Sequence, residues 1–309
     1  MYQILLDKVA TYDTVIIHRH KEPDMDALGA QFGLKGIILN NYHSKQVYVV
    51  GDTNENKLLG HMDTIQDDVY QDALVIIVDV AGTARISDSR FSLAKERIVI
   101  DHHQNMTDVD AFFIHDPKQI ATCQMLVEMV IKHQLTIDSM TATALLSGLI
   151  TDSGRFFYPG TSEFTFKAAA FLMEKGADLQ GIYESLYQEN IQMKKLKAYA
   201  TMAMAVTDKG VAYLKNDKTL KHQYGVSSFS ISRGLVGQMG GIEGIPIWAN
   251  FTEYDDGSII CELRSKEIPV VDVAKAFGGG GHQLACGCTV SDWETTDKVL
   301  NALDALLER

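Results

Sequence analysis

Cysteine is scarce in this chain: Cys123, Cys261, Cys286 and Cys288 are the four among 309 residues. So few cannot form a disulfide framework at this length, and the lone C-x-C pair is too short for a zinc knuckle, so the thiols are expected reduced, small and buried. Long apolar runs are missing too. Met1 to Ala10 carry Asp7 and Lys8, and no later run approaches the ~20 apolar residues a membrane span needs, so the expectation is a cytoplasmic protein with no membrane partner. Positive charge is in deficit, with 28 Lys and Arg against 40 Asp and Glu. The net charge of −12 repels a long phosphate backbone unless bound metals or a local basic patch reverse the field. Tight binding to long nucleic acid is therefore disfavoured. Internal repeats and low-complexity tracts are likewise not found.

What is present is ordinary globular composition, 46% hydrophobic and 22% charged, over a length that exceeds what one compact core usually serves. Two domains are expected. Between Thr14 and Asp152, short Val- and Ile-rich runs alternate with helical patterns: TVIIH at Thr14 to His18, QVYVV at Gln46 to Val50, LVIIVD at Leu74 to Asp79 and RIVID at Arg97 to Asp101. That alternation predicts a parallel α/β sheet, with Asp26 to Asn40 and Ile120 to His133 long enough for crossover helices. From Thr161 to Ala205 the chain reads as mostly helical, Gly176 being a helix stop, and the junction falls near Glu189 to Ala198. Beyond Met204, turn signals at Asn216-Asp217 and Asp255-Asp256-Gly257 separate VAYL, IWANFTEY and SIICELRS, which predicts a smaller α+β domain with a mostly antiparallel sheet. The expected division is residues 1–190 for metal binding, 191–204 as a helical linker and 205–309 for substrate binding.

Carboxylates and histidines collect at the C-terminal ends of the predicted strands. His20, Asp24 and Asp26 follow the first, Asp79 ends the third, and Asp101, His102 and His103 follow the fourth, so all face one crevice at the sheet's carboxyl edge. Asp152, after the apolar run ALLSGLIT, joins them. One Asp or His at a strand end is more often a helix cap or a solvated group. The combination is different. Asp24, Asp26, Asp79, Asp101 and Asp152 in one crevice repel each other prohibitively unless cations or protons neutralise them. Two divalent ions resolve the conflict, and imidazole with carboxylate but no thiolate suits manganese, iron, cobalt or zinc better than calcium. Such a pair, ~3.5 to 4 Å apart, can activate water while clamping a phosphoryl oxygen.

HRHKEPDMDALGA (His18 to Ala30), VDVAG (Val78 to Gly82), DHHQN (Asp101 to Asn105), TDSGRF (Thr151 to Phe156) and GGGGHQLACG (Gly278 to Gly287) stand in one order along nearly the whole chain. In these blocks the sequence resembles the DHH phosphoesterase superfamily, within it the bacterial group with a DHH-associated C-terminal domain that degrades oligoribonucleotides and dephosphorylates adenosine 3′,5′-bisphosphate (pAp). The resemblance implies a parallel-sheet catalytic domain, a smaller α+β domain, and an active site in the cleft between them. It also implies two Mn²⁺ ions, with Co²⁺ or Mg²⁺ as substitutes. His20, Asp24 and Asp79 would hold one ion, and Asp26, Asp79, His102 and Asp152 the other, Asp79 bridging. Asp101 would orient the histidines, and His103 would face the substrate, stabilising phosphoryl charge or protonating the leaving oxygen. The choice of His102 over His103 as ligand comes from the family pattern alone; His18 is read as a structural strand residue. Arg264 and Ser265 match the family's phosphate-binding pair, and Gly279, Gly280, Gly281 and His282 offer backbone that can approach a phosphate closely, together a clamp on the substrate's far end. Glycine-rich segments alone are weak evidence, a flexible hinge being the plainer explanation.

The implied activity is cleavage of short oligoribonucleotides and linear dinucleotides such as pApA, and removal of the 3′ phosphate of pAp. Short RNA, dinucleotides and pAp are thus the expected partners, with homodimerisation left open. A cyclic di-AMP phosphodiesterase is an alternative. A manganese pyrophosphatase shares the metal blocks, but the GGGGH block argues against it. A long-strand exonuclease conflicts with the acidic charge. A non-catalytic nucleotide sensor would have lost metal ligands, and here every ligand block is filled.

Overall fold

The computed structural model describes residues 2–53, 58–104 and 106–307. Asn105, the last residue of the DHHQN block, lies outside the described residues. Contacts divide the chain into two compact units, Met1–Gln188 and Glu189–Arg309.

In the first unit, α1 (Tyr2–Thr11) precedes β1 (Thr14–His18), α2 (Met25–Asn41), β2 (Gln46–Val49), β3 (Ala73–Val78), β4 (Glu96–Asp101) and β5 (Phe112–His115). The helices α3 (Thr122–Lys132), α4 (Ser139–Asp152), α5 (Glu163–Glu174) and α6 (Leu179–Tyr187) follow. The sheet runs β2-β1-β3-β4-β5, and each adjacent pair is parallel. Every residue of β3 is buried, which explains why it reads as an unbroken apolar run. One face, with Val15, Ile17, Leu74, Ile76, Ile98 and Ile100, packs on the helices; the other, with Ile16, Val75, Ile77 and Val99, is covered by Tyr70, Phe91 and neighbouring residues. That second layer is thin because the described residues of the β2–β3 and β3–β4 connections form short 3₁₀ turns and no α-helix. The strand order reverses between β1 and β3, the place where parallel sheets open a crevice.

Glycine sets the spacing of two helices that carry predicted ligands. On α2, a Cβ at Gly29 would stand 2.4 Å from the Ala144 carbonyl oxygen of α4, and one at Gly148 of α4 would stand 2.9 Å from the Asp26 Cα. Only bare backbone permits that approach.

The second unit contains α7 (Ile191–Ala203), β6 (Ala205–Val206), β7 (Val211–Asn216), α8 (Leu220–Tyr224), α9 (Ser228–Val236), β8 (Ile247–Glu253) and β9 (Ile259–Ser265). It continues with α10 (Val271–Ala276), β10 (Gly280–Gly281), β11 (Ala285–Val290) and α11 (Trp293–Asp304). Its sheet runs β10-β11-β9-β8-β7-β6, antiparallel except for the parallel β7–β8 pair. The segment expected as a linker is α7, whose Leu196 and Ala200 are buried with Ala212, Leu214, Ile231 and Leu235 of this unit. Among the described residues no helix is long and apolar enough to cross a membrane.

Gly29→Val should lower stability by about 1–3 kcal/mol, the usual cost of overpacking. Helix propensity favours the change by only a few tenths of a kcal/mol, so the clash decides. Urea unfolding measures it; an unchanged or raised midpoint would contradict the close approach.

Candidate metal centre

The chain leaves β1 through His20, turns at Asp24 and enters α2. Asp24 is the α2 N-cap, its Oδ1 accepting from the Asp26 and Ala27 amides at 3.1 and 3.0 Å. Asp26, fully buried, faces α3: its carboxylate accepts from the Thr122 and Cys123 amides at 2.6 and 2.9 Å. Ala121, the α3 N-cap residue, makes no side-chain cap of its own. A carboxylate from another helix thus satisfies the α3 terminus, where the helix dipole favours negative charge.

Asp79 follows β3 with φ of 60°, a left-handed conformation that costs a non-glycine residue about 1–2 kcal/mol. Its buried Oδ1 accepts from the Thr122 hydroxyl at 3.0 Å, and its Oδ2 has no hydrogen-bond partner. Asp152 is the last residue of α4. There Gly154 at φ 57° ends the helix in a Schellman motif, with Gly154 N donating to Thr151 O at 2.9 Å and Arg155 N to Ile150 O at 2.7 Å.

These residues converge in two overlapping sets. His20 Nε2 lies 3.7 Å from Asp24 Oδ1 and 3.5 Å from Asp79 Oδ2. His102 Nε2 lies 3.8 Å from Asp26 Oδ2, 3.6 Å from Asp79 Oδ1 and 3.5 Å from Asp152 Oδ2. These separations are too long for hydrogen bonds, and two donors each about 2.1 Å from one tetrahedral ion stand about 3.4 Å apart. The imidazoles are aimed from behind. His20 Nδ1 is 2.7 Å from the Lys21 carbonyl and His102 Nδ1 is 3.2 Å from that of Gln119, so each ring when neutral keeps its proton on Nδ1 and would offer its Nε2 lone pair to an ion on the carboxylate side. Among the described residues His102 Nε2 and Asp79 Oδ2 are buried without hydrogen-bond partners, a costly arrangement that a cation on that side would remove. The donor set therefore fits two divalent ions sharing Asp79.

Crowding also marks the electrostatics. Burial, and then the neighbouring Asp26, holds the Asp79 carboxyl well above its ordinary range. Burial, followed by Asp26, Asp24 and Asp79, pushes Asp152 up to about 9. Burial works against the charged form of His20, yet Asp24 and Asp79 outweigh it and raise the ring to about 10.

Asp101 serves one histidine: its Oδ1 accepts from His103 Nδ1 at 2.7 Å and from the His103 amide at 3.2 Å. That bond raises the His103 pKa, and the half-exposed ring also brings its Nδ1 to 3.7 Å from Asp79 Oδ1. His102 takes its orientation from Gln119, not from Asp101. His18 is fully buried, 5.8 Å from the Tyr70 ring and 6.3 Å from Phe91, and burial drives its pKa to about 4, so it is a neutral strand residue outside the cluster.

In the second unit a groove of about 560 Å³ is lined by Arg264, Glu262, Arg233, Gly279, Gly280, Gly281 and His282. Glu262 sits between two guanidiniums, 2.8 Å from Arg233 Nε and 3.0 Å from Arg264 Nη2. Ser265 does not join them. Alternation along β9 turns it to the core with Cys261 and Leu263, and its hydroxyl donates to the Ile268 carbonyl. The glycines form no hinge: Gly280–Gly281 is a short strand paired with β11, closed by a His282–Ala285 turn. Gly279 and Gly281 are required by that packing, since a Cβ at either would meet β11 backbone within 2.9 Å. Thr122, Gln119, Arg233 and Glu262 were not predicted from sequence. Each sits in an ordinary-looking helix, loop or strand, and only tertiary neighbours give it a role.

Residues 14–149 match the DHH family, N-terminal domain, and residues 217–309 match the DHHA1 domain. The chain is 33% identical over 309 residues to a probable bifunctional oligoribonuclease and PAP phosphatase NrnA of Streptococcus mutans, covering 99% of each chain. It is 31% identical over 306 residues to the bifunctional oligoribonuclease and PAP phosphatase NrnA of Bacillus subtilis, covering 98% of this chain and 97% of that one. Among solved structures, an exopolyphosphatase-related protein from Bacteroides fragilis superposes with a TM-score of 0.81 at 22% identity, covering 99% of this chain and 97% of that one, a likeness of fold.

Above about pH 7 His18 is neutral whether folded or not, and the cluster sets the slope of stability with pH. There the unfolded chain has released the Asp152 proton and the folded chain, with its pKa of about 9, still holds it. His20, raised to about 10, acts in the same direction. The metal-free protein should therefore lose stability from about pH 7 to 9, and loading with Mn²⁺ should flatten the slope and release protons. Melting curves with and without chelator, and calorimetry in two buffers of different ionisation enthalpy, measure both. Stability rising with pH in the chelated protein, or metal uptake without proton release, would contradict the shared-charge description.

Proposed function

The chain belongs to the DHH family and is a hydrolase of phosphoester bonds, and from that premise we propose that it is a manganese-dependent phosphodiesterase of very short nucleotides. Its substrates on this reading are short oligoribonucleotides and linear dinucleotides such as pApA, cut to mononucleotides, and pAp, relieved of its 3′ phosphate. The observation that carries it is that two donor sets, His20 with Asp24 and His102 with Asp26 and Asp152, both lie against the buried Asp79. The names of the two relatives, matched along nearly their full length, support the substrate class.

His20, Asp24 and Asp79 would hold one ion, and Asp26, Asp79, His102 and Asp152 the other. Bound there, divalent ions polarise a phosphoryl oxygen and lower the pKa of water enough to make it a nucleophile near neutral pH. The protein's own groups do the rest. Asp101 keeps a proton on His103 Nδ1 and favours the charged ring, so the Nε2 of this half-exposed ring can donate to the leaving oxygen. In the second unit, Arg264 and the open backbone of Gly280 suit a terminal phosphate, with His282 beside them. Recognition of a terminal phosphate favours short chains, because added nucleotides bring charge against an acidic protein without new contacts.

A panel of pApA, pAp, cyclic di-AMP, inorganic pyrophosphate and RNAs of graded length tests this. Turnover should peak at roughly two to five nucleotides and fall steeply by about 24. On the dinucleotide, His103→Ala should lower kcat by about 10²-fold or more with metal content retained. Arg264→Ala should cost about 1.5–3 kcal/mol in kcat/KM, the worth of a hydrogen bond to a charged group. Equal degradation of the dinucleotide and the longest RNA would refute the short-substrate reading, and metal loss from the His103 variant would refute its role as proton donor.

A further inference from the structure

The turn after α4 is built with unusual care for a surface segment. Gly154, Arg155 and Phe156 all adopt left-handed backbone, with φ of 57°, 59° and 67°. That conformation is unfavourable for Arg and Phe, and such residues persist only where their surroundings fix them. Here they do. The buried Ser153 accepts the Phe156 amide on its hydroxyl at 3.0 Å, and its carbonyl accepts the Phe157 and Tyr158 amides, both at 2.9 Å. The Phe156 ring anchors inward, stacked on Phe166 at 5.3 Å.

This rigid turn presents its next side chains to solvent: Phe157 is 86% exposed and Tyr158 53%. Arg155 is exposed as well, its guanidinium lying over the Tyr187 ring at 5.1 Å, and among the described residues no carboxylate pairs with it. Thr151, Gly154, Arg155, Phe157, Tyr158 and Tyr187 line a cavity of about 490 Å³, within the size range of small-ligand sites. Thr151 directly precedes Asp152, a candidate metal ligand, in α4. An unpaired cation and open aromatic faces on one cavity suit a ligand that is both anionic and aromatic.

We propose that this cavity is a nucleotide subsite, in which Phe157 and Tyr158 stack an unpaired base and Arg155, braced on Tyr187, contacts a phosphate oxygen. The inference rests on the nucleotide reading above and deepens it. Stacking accepts any base because every base has a π-face, so the site requires that a base be present without selecting which one. Arginine suits the other role because its guanidinium binds phosphate while its plane lies on an aromatic ring.

The test compares pApA with the same dinucleotide lacking both bases, the phosphates and sugars being kept. The wild-type enzyme should prefer pApA, and Phe157→Ala with Tyr158→Ala should erase most of that preference, by roughly 5- to 150-fold in kcat/KM and chiefly through KM. Arg155→Ala should weaken both dinucleotides alike, and Arg155→Lys should restore part of the loss. The abasic dinucleotide, with no ring to stack, should be turned over nearly as well by the aromatic variants as by the wild type, which separates subsite damage from misfolding. Wild-type turnover of pApA tests the functional reading; the ratio of pApA to its abasic form in the variants tests the subsite. An unchanged ratio in the aromatic variants would overturn the proposal. So would that result accompanied by altered sedimentation, which would assign Phe157 and Tyr158 to contact between copies of the chain.

Discussion

Mutual repulsion among buried carboxylates is the constraint on which the first unit is organised. Asp26 and Asp79 are almost wholly buried, with Asp24 and Asp152 beside them, and such a group is unstable without cations or protons. The fold meets that cost by several routes. The α3 terminus takes the Asp26 carboxylate on two backbone amides, and Thr122 takes one oxygen of Asp79. Tight α2–α4 packing across Gly29 and Gly148 brings Asp26 and Asp152 to one histidine. Left-handed backbone at Asp79 turns the chain directly after a fully buried strand. What these devices leave unsatisfied, Asp79 Oδ2 and His102 Nε2, lies where cations would complete the site.

The residues of the candidate site also carry structural duties. Asp24 is both a helix cap and a neighbour of His20, so its capping role leaves it available as a candidate ligand. Asp101 spends one oxygen on His103 and leaves the other buried without a partner. Removing Asp24 or Asp26 would remove a helix cap or a helix anchor together with a candidate ligand.

Much of this was legible in the sequence because the site hangs on strand ends. TVIIH, LVIIVD and RIVID are β1, β3 and β4 to within a residue or two, and fixing their ends fixed where His20, Asp79 and Asp101 stand. The expected helices at Asp26 to Asn40 and Ile120 to His133 are α2 and α3. What was not legible depends on distant pairing. The short β5 gains its place only by pairing with β4, and Thr122 and Gln119 matter only because Asp79 and His102 meet them. In the second unit, ACGCT carries no strong strand signal, yet it is β11, and its pairing with Gly280–Gly281 turns an apparent loop into a hairpin. Ser265 was assigned to the groove by family pattern, whereas strand alternation sends it to the core while Arg264 lines the groove.

All of this converges on Asp79, the residue the two donor sets share. Metal content of the wild-type protein and of Asp79→Ala, measured by plasma emission after loading with Mn²⁺ and removal of excess, tests that sharing directly. Two ions per chain in the wild type and loss from both sites in the variant, with turnover abolished, is the expected result. A variant that kept two ions and near-normal turnover would contradict a carboxylate shared by both.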